Sequence, residues 1–493
     1  VPPPDHRLEL SREQMRALGY RVIDILVEHC ATLGAQRVGS KGSRAGLEAL
    51  LRQPLPEQPS GPEEVLRRIE RDVFAHMLHV DHPRFFAFVP SPGNFVGAMG
   101  EALAAGVNPF VGTWLAGSGP AELELVTVDW LRQICGLPET AGGLFVSGGS
   151  MANLTALAVA RRVKLGDRIE DAVVYCSDQT HSAVDKGLGV LGYRPEQIRK
   201  LPSDEEFRLS PGRLEREILS DRATGKRPFC VIANAGTTNT GAVDPLVELR
   251  RLCDREGLWL HADGAYGAAA MLCEEGRRAL AGLAGADSLA LDPHKWLFQP
   301  FEIGCVLVRE ARWLRETFAV RPEYLQDAEP AEDEVNFADR GIQLSRSFRA
   351  LKLWMTFQVF GAAALRQAVA WGIHLAEKAE ALLRQDPRWR IVAPARLGII
   401  AFRWAPPGLT DAEADALNTR LVERLFADGY AMVTSTVLQG RTVLRLCTIN
   451  PRTAEQEVAE TIHRLSAFSA GLRQETSATM KTNHGGPSDG PGA

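Results

Sequence analysis

The rhythm of hydrophobic and polar positions changes twice along the chain. From Ser11, apolar residues recur at helical spacing (Met15, Leu18, Ile23, Leu26, Val27), which predicts an amphipathic helix. Residues 34–62 are rich in Gly, Pro and polar side chains and read as an extended arm; a second helix is predicted over 62–78. This stretch has too little apolar surface to fold alone, and such arms commonly pack on a partner chain. Between about 80 and 310, short apolar runs alternate with helical stretches. Runs at 143–146, 172–176, 229–233, 259–262, 288–291 and 304–308 predict strands, and the alternation predicts an α/β domain with a mostly parallel, mixed sheet. Residues 325–341 are acidic and polar, too long for an ordinary connector. A long helix is predicted over 347–386, and 390–470 read as strand, helix, strand, strand, helix, a small α+β domain. From Arg473 onward there is no aromatic or branched aliphatic residue, which predicts a disordered tail. The expected organisation is a helical arm (1–79), a large domain (80–365), a small domain (366–472) and a tail (473–493), without internal repeats.

Composition narrows the function. At 493 residues, 45% hydrophobic and 24% charged, the chain can bury a large core. A net charge of −5 argues against a general nucleic-acid binder, which needs a basic surface. No apolar run is long enough to predict a membrane span, and the first residues lack a basic-then-apolar leader pattern. Eight scattered cysteines without a CxxC spacing predict free thiols in a reducing compartment. A cytoplasmic enzyme is the expectation.

The chemistry gathers where predicted strands end, the edge at which open α/β sheets bind ligands. After the first strand comes Ser147-Gly-Gly-Ser-Met-Ala-Asn153, a Gly-Gly turn into a helix. Free N–H groups and the macrodipole at a helix start favour an anion such as phosphate, although many such turns bind nothing. The turn is neither a P-loop nor GxGxxG. Lys295 follows another strand in Asp292-Pro-His-Lys-Trp296; a partly desolvated lysine can form a Schiff base, and the apolar residues after it argue against an ordinary solvated lysine. Asp263 ends a third strand in His261-Ala-Asp-Gly-Ala-Tyr266 and calls for a cationic partner. Without a third His or Cys ligand, His261 and Asp263 are not expected to hold a metal, and His261 reads as a core histidine. His181, in Asp178-Gln-Thr-His-Ser182, follows a fourth strand. A phosphate cradle, a Schiff-base lysine and a strand-end carboxylate together match pyridoxal 5′-phosphate (PLP), whose pyridine nitrogen must stay protonated.

In this order, His82-Pro-Arg-Phe-Phe86, 122–130, SGGSMAN, SDQTHS, GTT at 236–238, HADGAY, DPHKW and Ser347-Phe-Arg-Ala-Leu-Lys-Leu-Trp354 resemble the group II PLP-dependent amino-acid decarboxylases of fold type I, over about residues 10–470. HPRFFAFVPSP and PHKWL suit the aromatic-amino-acid, tyrosine and histidine decarboxylase branch. The resemblance implies that Lys295 holds PLP, Asp263 pairs with its pyridine nitrogen, and His181 and Ala265 lie on its two faces. It further implies that Gly149, Ser150 and His294 bind the phosphate, with Thr238 and Asp292 beside the cofactor. Tyr324 falls at the family's mobile-loop tyrosine, the proton donor to Cα. Phe85, Phe88, Ser91, Phe110 and Ser345 are the implied substrate contacts, although the apolar run at 85–89 could equally be a core strand. A homodimer and an amino-acid substrate are implied, with tyrosine or DOPA favoured by Ser345. Many relatives carry Asn at 292 and Ala at 264, animal members carry Ser-Ala at 148–149, and Gly112 replaces a pocket phenylalanine, so a differently shaped pocket is expected, and the departures bear on substrate identity more than on reaction type. An aldehyde synthase is the first alternative, but its members tend to replace the loop tyrosine or stacking histidine, both kept in this chain. An aminotransferase, with Arg445 on a carboxylate, and an inactive scaffold are the others.

Overall fold

The computed structural model describes residues 8–320 and 331–483, and side chains as far as Leu472. Strands β1 (Gly142–Val146), β2 (Ala172–Ser177), β3 (Ile198–Leu201), β4 (Arg227–Asn234), β5 (Trp259–Asp263), β6 (Ser288–Leu291) and β7 (Gly304–Val308) form one sheet, ordered β1-β7-β6-β5-β4-β2-β3. β7 runs antiparallel to both of its neighbours and all other pairings are parallel. The other six strands therefore share a direction, and their carboxyl ends reach one edge. Both faces are covered: Val231, Ala233 and Leu260 pack into one core, Val174, Ile232 and Ala290 into the other. That double burial is why the strands read as continuous apolar runs. The sequence reading missed β3, whose Ile-Arg-Lys-Leu is a short charged edge strand.

The helix Ala350–Leu383 leads from this domain into the next and breaks at Gly361, which has a φ of 76°. Beyond it, β8 (Trp389–Arg396), β9 (Ile399–Trp404), β10 (Thr434–Leu438) and β11 (Arg441–Cys447) form an antiparallel sheet, ordered β10-β11-β9-β8. The sequence reading had a single strand in place of the β8–β9 hairpin. The hairpin turns at Leu397-Gly398, both at positive φ (46° and 77°), and a leucine there carries no turn signature. The last helix, Glu455–Asn483, continues past Arg473, where the tail was expected to begin. Near the N-terminus, Ser11 and Gln14 form a capping box on the helix Arg12–Thr32, which buries none of its residues within the chain. Among the described residues, no helix is long and apolar enough to cross a membrane.

Candidate active site

The carboxyl ends of the parallel strands surround a cavity of about 330 Å³. β1 runs through Ser147-Gly148 into the helix Gly149–Leu165, whose first N–H groups have no intrahelical acceptor and suit an anion. A Cβ at Gly149 would lie 2.8 Å from Asp292 Oδ2 and 3.1 Å from Ala265 Cβ, so glycine lets the helix start this close to the opposite wall.

Lys295 sits on a single helical turn, Pro293–Trp296, directly after β6, and buried Trp296 and Leu297 anchor the turn. Its amine lies 2.8 Å from Asp292 Oδ2. Asp292 is buried, and its Oδ1 has no hydrogen-bond partner among the described residues. His294 Nδ1 accepts the Ile303 N–H at 3.3 Å, which puts the proton of the neutral ring on Nε2, 3.6 Å from Asp292 Oδ2. Burial lowers the His294 pKa below its ordinary value despite the nearby carboxylate, so the ring is neutral near pH 7.

Asp263 closes β5. Its Oδ1 accepts the Ala265 N–H at 3.1 Å and its Oδ2 the Asn153 amide at 3.3 Å. His181 stands exposed at the cavity wall, its Nδ1 accepting the Ala183 N–H at 3.1 Å. Its loop is tied back by Asn234, the last residue of β4, which donates to Thr180 Oγ1 and Ser177 Oγ and is itself held by buried Asp244. Gly236 opens the GTT turn at a φ of 110°, where a Cβ would come within 2.9 Å of the Tyr266 ring. That ring stacks on Trp296.

Every residue proposed from the sequence to hold the cofactor thus lines one cavity: Gly149, Ser150, His181 and Thr238 on one part of the wall, Asp263, Ala265, Asp292, His294 and Lys295 on the rest. The expected substrate contacts do not converge in the same way. Ser91 is buried behind the lysine turn, donating from Oγ to the His294 carbonyl at 2.5 Å. Phe85 is a core residue, packed with Val38 and Ala87 where the arm meets the small domain. The backbone of this segment docks on the small domain, with Phe86 N–H bonded to the Met432 carbonyl at 2.9 Å. Phe88 is exposed at a φ of 49°, and Phe110 and Ser345 line a separate cleft with Phe348. Tyr324 lies outside the described residues. The sequence reading missed Asn153, Asn234, Gln179 and Thr237 in the wall. Asn153 was within reach, being four residues after Gly149 and so on the same helical face.

An anion cradle, a primary amine, a buried strand-end carboxylate and a histidine in one wall fit PLP. The pyridoxal-dependent decarboxylase conserved domain matches residues 45–405. The chain belongs to that family. It is 50% identical over 463 residues to the aromatic-L-amino-acid decarboxylase of Bacillus atrophaeus, covering 94% of this chain and 96% of that one. It is 32% identical to the phenylacetaldehyde synthase of Petunia hybrida, covering 90% and 92%. The structure of Oryza sativa TDC with PLP and tryptamine superimposes with a TM-score of 0.90 at 29% identity, over 94% of this chain and 99% of that one. As a member of this family, the protein is a PLP-dependent carboxy-lyase with a fold type I large domain. One consequence concerns the cradle: Gly149→Ala drives a methyl against Asp292 and is expected to weaken PLP binding about tenfold, measured by fluorescence titration of the PLP-free protein.

Proposed function

We propose that the protein removes CO₂ from an aromatic L-amino acid and releases the amine, with tyrosine or DOPA preferred over tryptophan, phenylalanine and histidine. The meeting of Lys295, Asp263 and the Gly149-Ser150 turn in one cavity carries the reading. Similarity to relatives named for aromatic amino acids supports the substrate class. PLP, when bound, supplies a carbonyl that takes up an amine and a pyridinium ring that accepts the electron pair left by CO₂. The chain's own residues do the rest. Gly149, Ser150 and the Nε2–H of His294 would hold the phosphate, Asp263 would keep the ring nitrogen protonated, and Lys295 would anchor the cofactor covalently. His181 and Ala265 would confine the ring between them, with Thr238 and Asp292 alongside. Tyr324 would deliver a proton to Cα once CO₂ has left. Tyr324→Phe is therefore expected to cut amine production about 10²-fold or more with PLP uptake unchanged; an unaltered yield would remove Tyr324 from the reaction.

The same reading makes the protein a homodimer in a reducing, cytoplasmic setting. The arm helix supports this, because Met15 and Val27 stay exposed on it, as does the absence of pairing among the eight cysteines. In a dimer, the cleft of Phe110 and Ser345 would serve the partner copy's substrate, alongside Phe88 and Ser91, while Phe85 would act only through the core. Comparing kcat/KM for tyrosine, DOPA, phenylalanine, tryptophan and histidine tests the preference; a higher value for tryptophan, phenylalanine or histidine would overturn it. Similarity to a phenylacetaldehyde synthase favours a second reading, in which the substrate leaves as an aldehyde. The retained Tyr324 and His181 favour the amine.

A further inference from the structure

Behind the cavity wall, buried polar groups form an unbroken line that binding and proton delivery leave unexplained. Trp259 Nε1 is 2.8 Å from Ser288 Oγ, and Ser288 Oγ is 2.8 Å from His261 Nδ1. His261 Nε2 is 2.6 Å from Asn153 Oδ1, and Asn153 Nδ2 is 3.3 Å from Asp263 Oδ2. All five residues are buried. The residues come from β5, β6 and the helix that starts at the anion cradle.

The two ends fix the direction of every bond between them. An indole N–H can only donate and a carboxylate can only accept. Asp263 therefore requires the amide nitrogen of Asn153, which turns Asn153 Oδ1 toward His261. Asn153 Oδ1 requires a proton on His261 Nε2. At the other end, Ser288 Oγ accepts from Trp259, so its hydroxyl is free to donate into His261 Nδ1. One arrangement satisfies every group, and in it His261 is neutral and protonated on Nε2. A charged imidazole would turn both N–H groups outward and leave the Ser288 hydroxyl proton without an acceptor in a dry interior. Burial acts in the same sense, pushing the His261 pKa down to about 4.

We propose that Ser288, His261 and Asn153 are positioning residues, a one-way line of hydrogen-bond donors that ends on Asp263 and turns its carboxylate toward the cofactor's ring nitrogen. The proposal rests on the PLP reading above and assigns His261 a task where the sequence suggested only core packing. Since a hydrogen bond to a charged group is among the stronger ones, cutting the line has a measurable cost at the ring.

The test uses the full-length protein in two ways. Histidine-selective ¹⁵N NMR of the wild type, with and without PLP, is expected to show His261 protonated at Nε2 only and not titrating between about pH 5.5 and 8. A proton on Nδ1, or a titration in that range, overturns the line. In PLP-loaded protein, Asn153→Leu and His261→Leu are expected to release PLP about tenfold faster and to move the pH midpoint of the visible absorbance. His261→Gln keeps both a donor and an acceptor and is expected to stay within about threefold of the wild type. If the two leucine variants bind PLP and behave like the wild type, the proposal falls. If the wild type itself takes up no PLP, the cofactor reading falls instead.

Discussion

Lys295→Ala is expected to lower amine production by about 10³-fold or more and to abolish the visible absorbance of covalently attached PLP. Lys295 is the one lysine in the cavity wall among the described residues, so no second amine can take over the attachment. The substitution also removes the ion pair that Asp292 makes at 2.8 Å. The carboxylate left behind is buried, and among the described residues its remaining ion-pair partner is His294 Nε2, at 3.6 Å. Lower thermal stability should therefore accompany the lost activity, and Asp292→Asn in the same chain should restore stability without activity. Steady-state amine assays, absorbance spectra and melting curves separate these effects.

The second large effect lies away from the chemistry. Arg346 and Glu124 form a fully buried ion pair at 2.5 Å, stacked on Phe337. Glu124 Oε1 also accepts the Phe145 N–H at 2.9 Å, and Arg346 Nη2 donates to the Phe145 carbonyl at 2.7 Å. The pair thus grips both backbone groups of a residue in β1, two positions before Ser147 and the anion cradle. Removing one partner leaves an uncompensated buried charge, and Arg346→Met is expected to cost about 3–5 kcal/mol of unfolding free energy. Glu124→Leu combined with Arg346→Met should cost less than Arg346→Met alone, because no charge is stranded. Urea titrations of the three variants check this, and PLP affinity should fall in step, since the loosened strand carries the cradle.

Much of this site was legible in the sequence because it follows a simple rule. In β1, β5 and β6, mostly apolar residues run up to the strand's last residue or the turn after it, and Asp263, Asp292 and the Ser147–Ser150 turn stand out against that background. What stayed hidden depends on residues that meet only through the fold. Glu124 and Arg346 lie 222 residues apart. His261 reads as core until Asn153 and Ser288, 108 and 27 residues away, are brought to its two ring nitrogens. Phe85 stayed open between pocket and core for the opposite reason. An aromatic residue beside a motif can line a pocket or fill a core, and only its burial against Val38 and Ala87 decides for the core. In the small domain, the β8–β9 hairpin escaped because a leucine occupies a turn position that usually announces itself with Gly or Asn.

The most direct test of the central claim is mass-spectrometric product analysis of the PLP-loaded protein, in air, with carboxyl-labelled tyrosine and DOPA. The account predicts labelled CO₂ and the corresponding amine in equal amounts, with no aldehyde. An aldehyde would place the protein with the oxidative members of its family, and a keto acid that keeps the label would contradict decarboxylation itself.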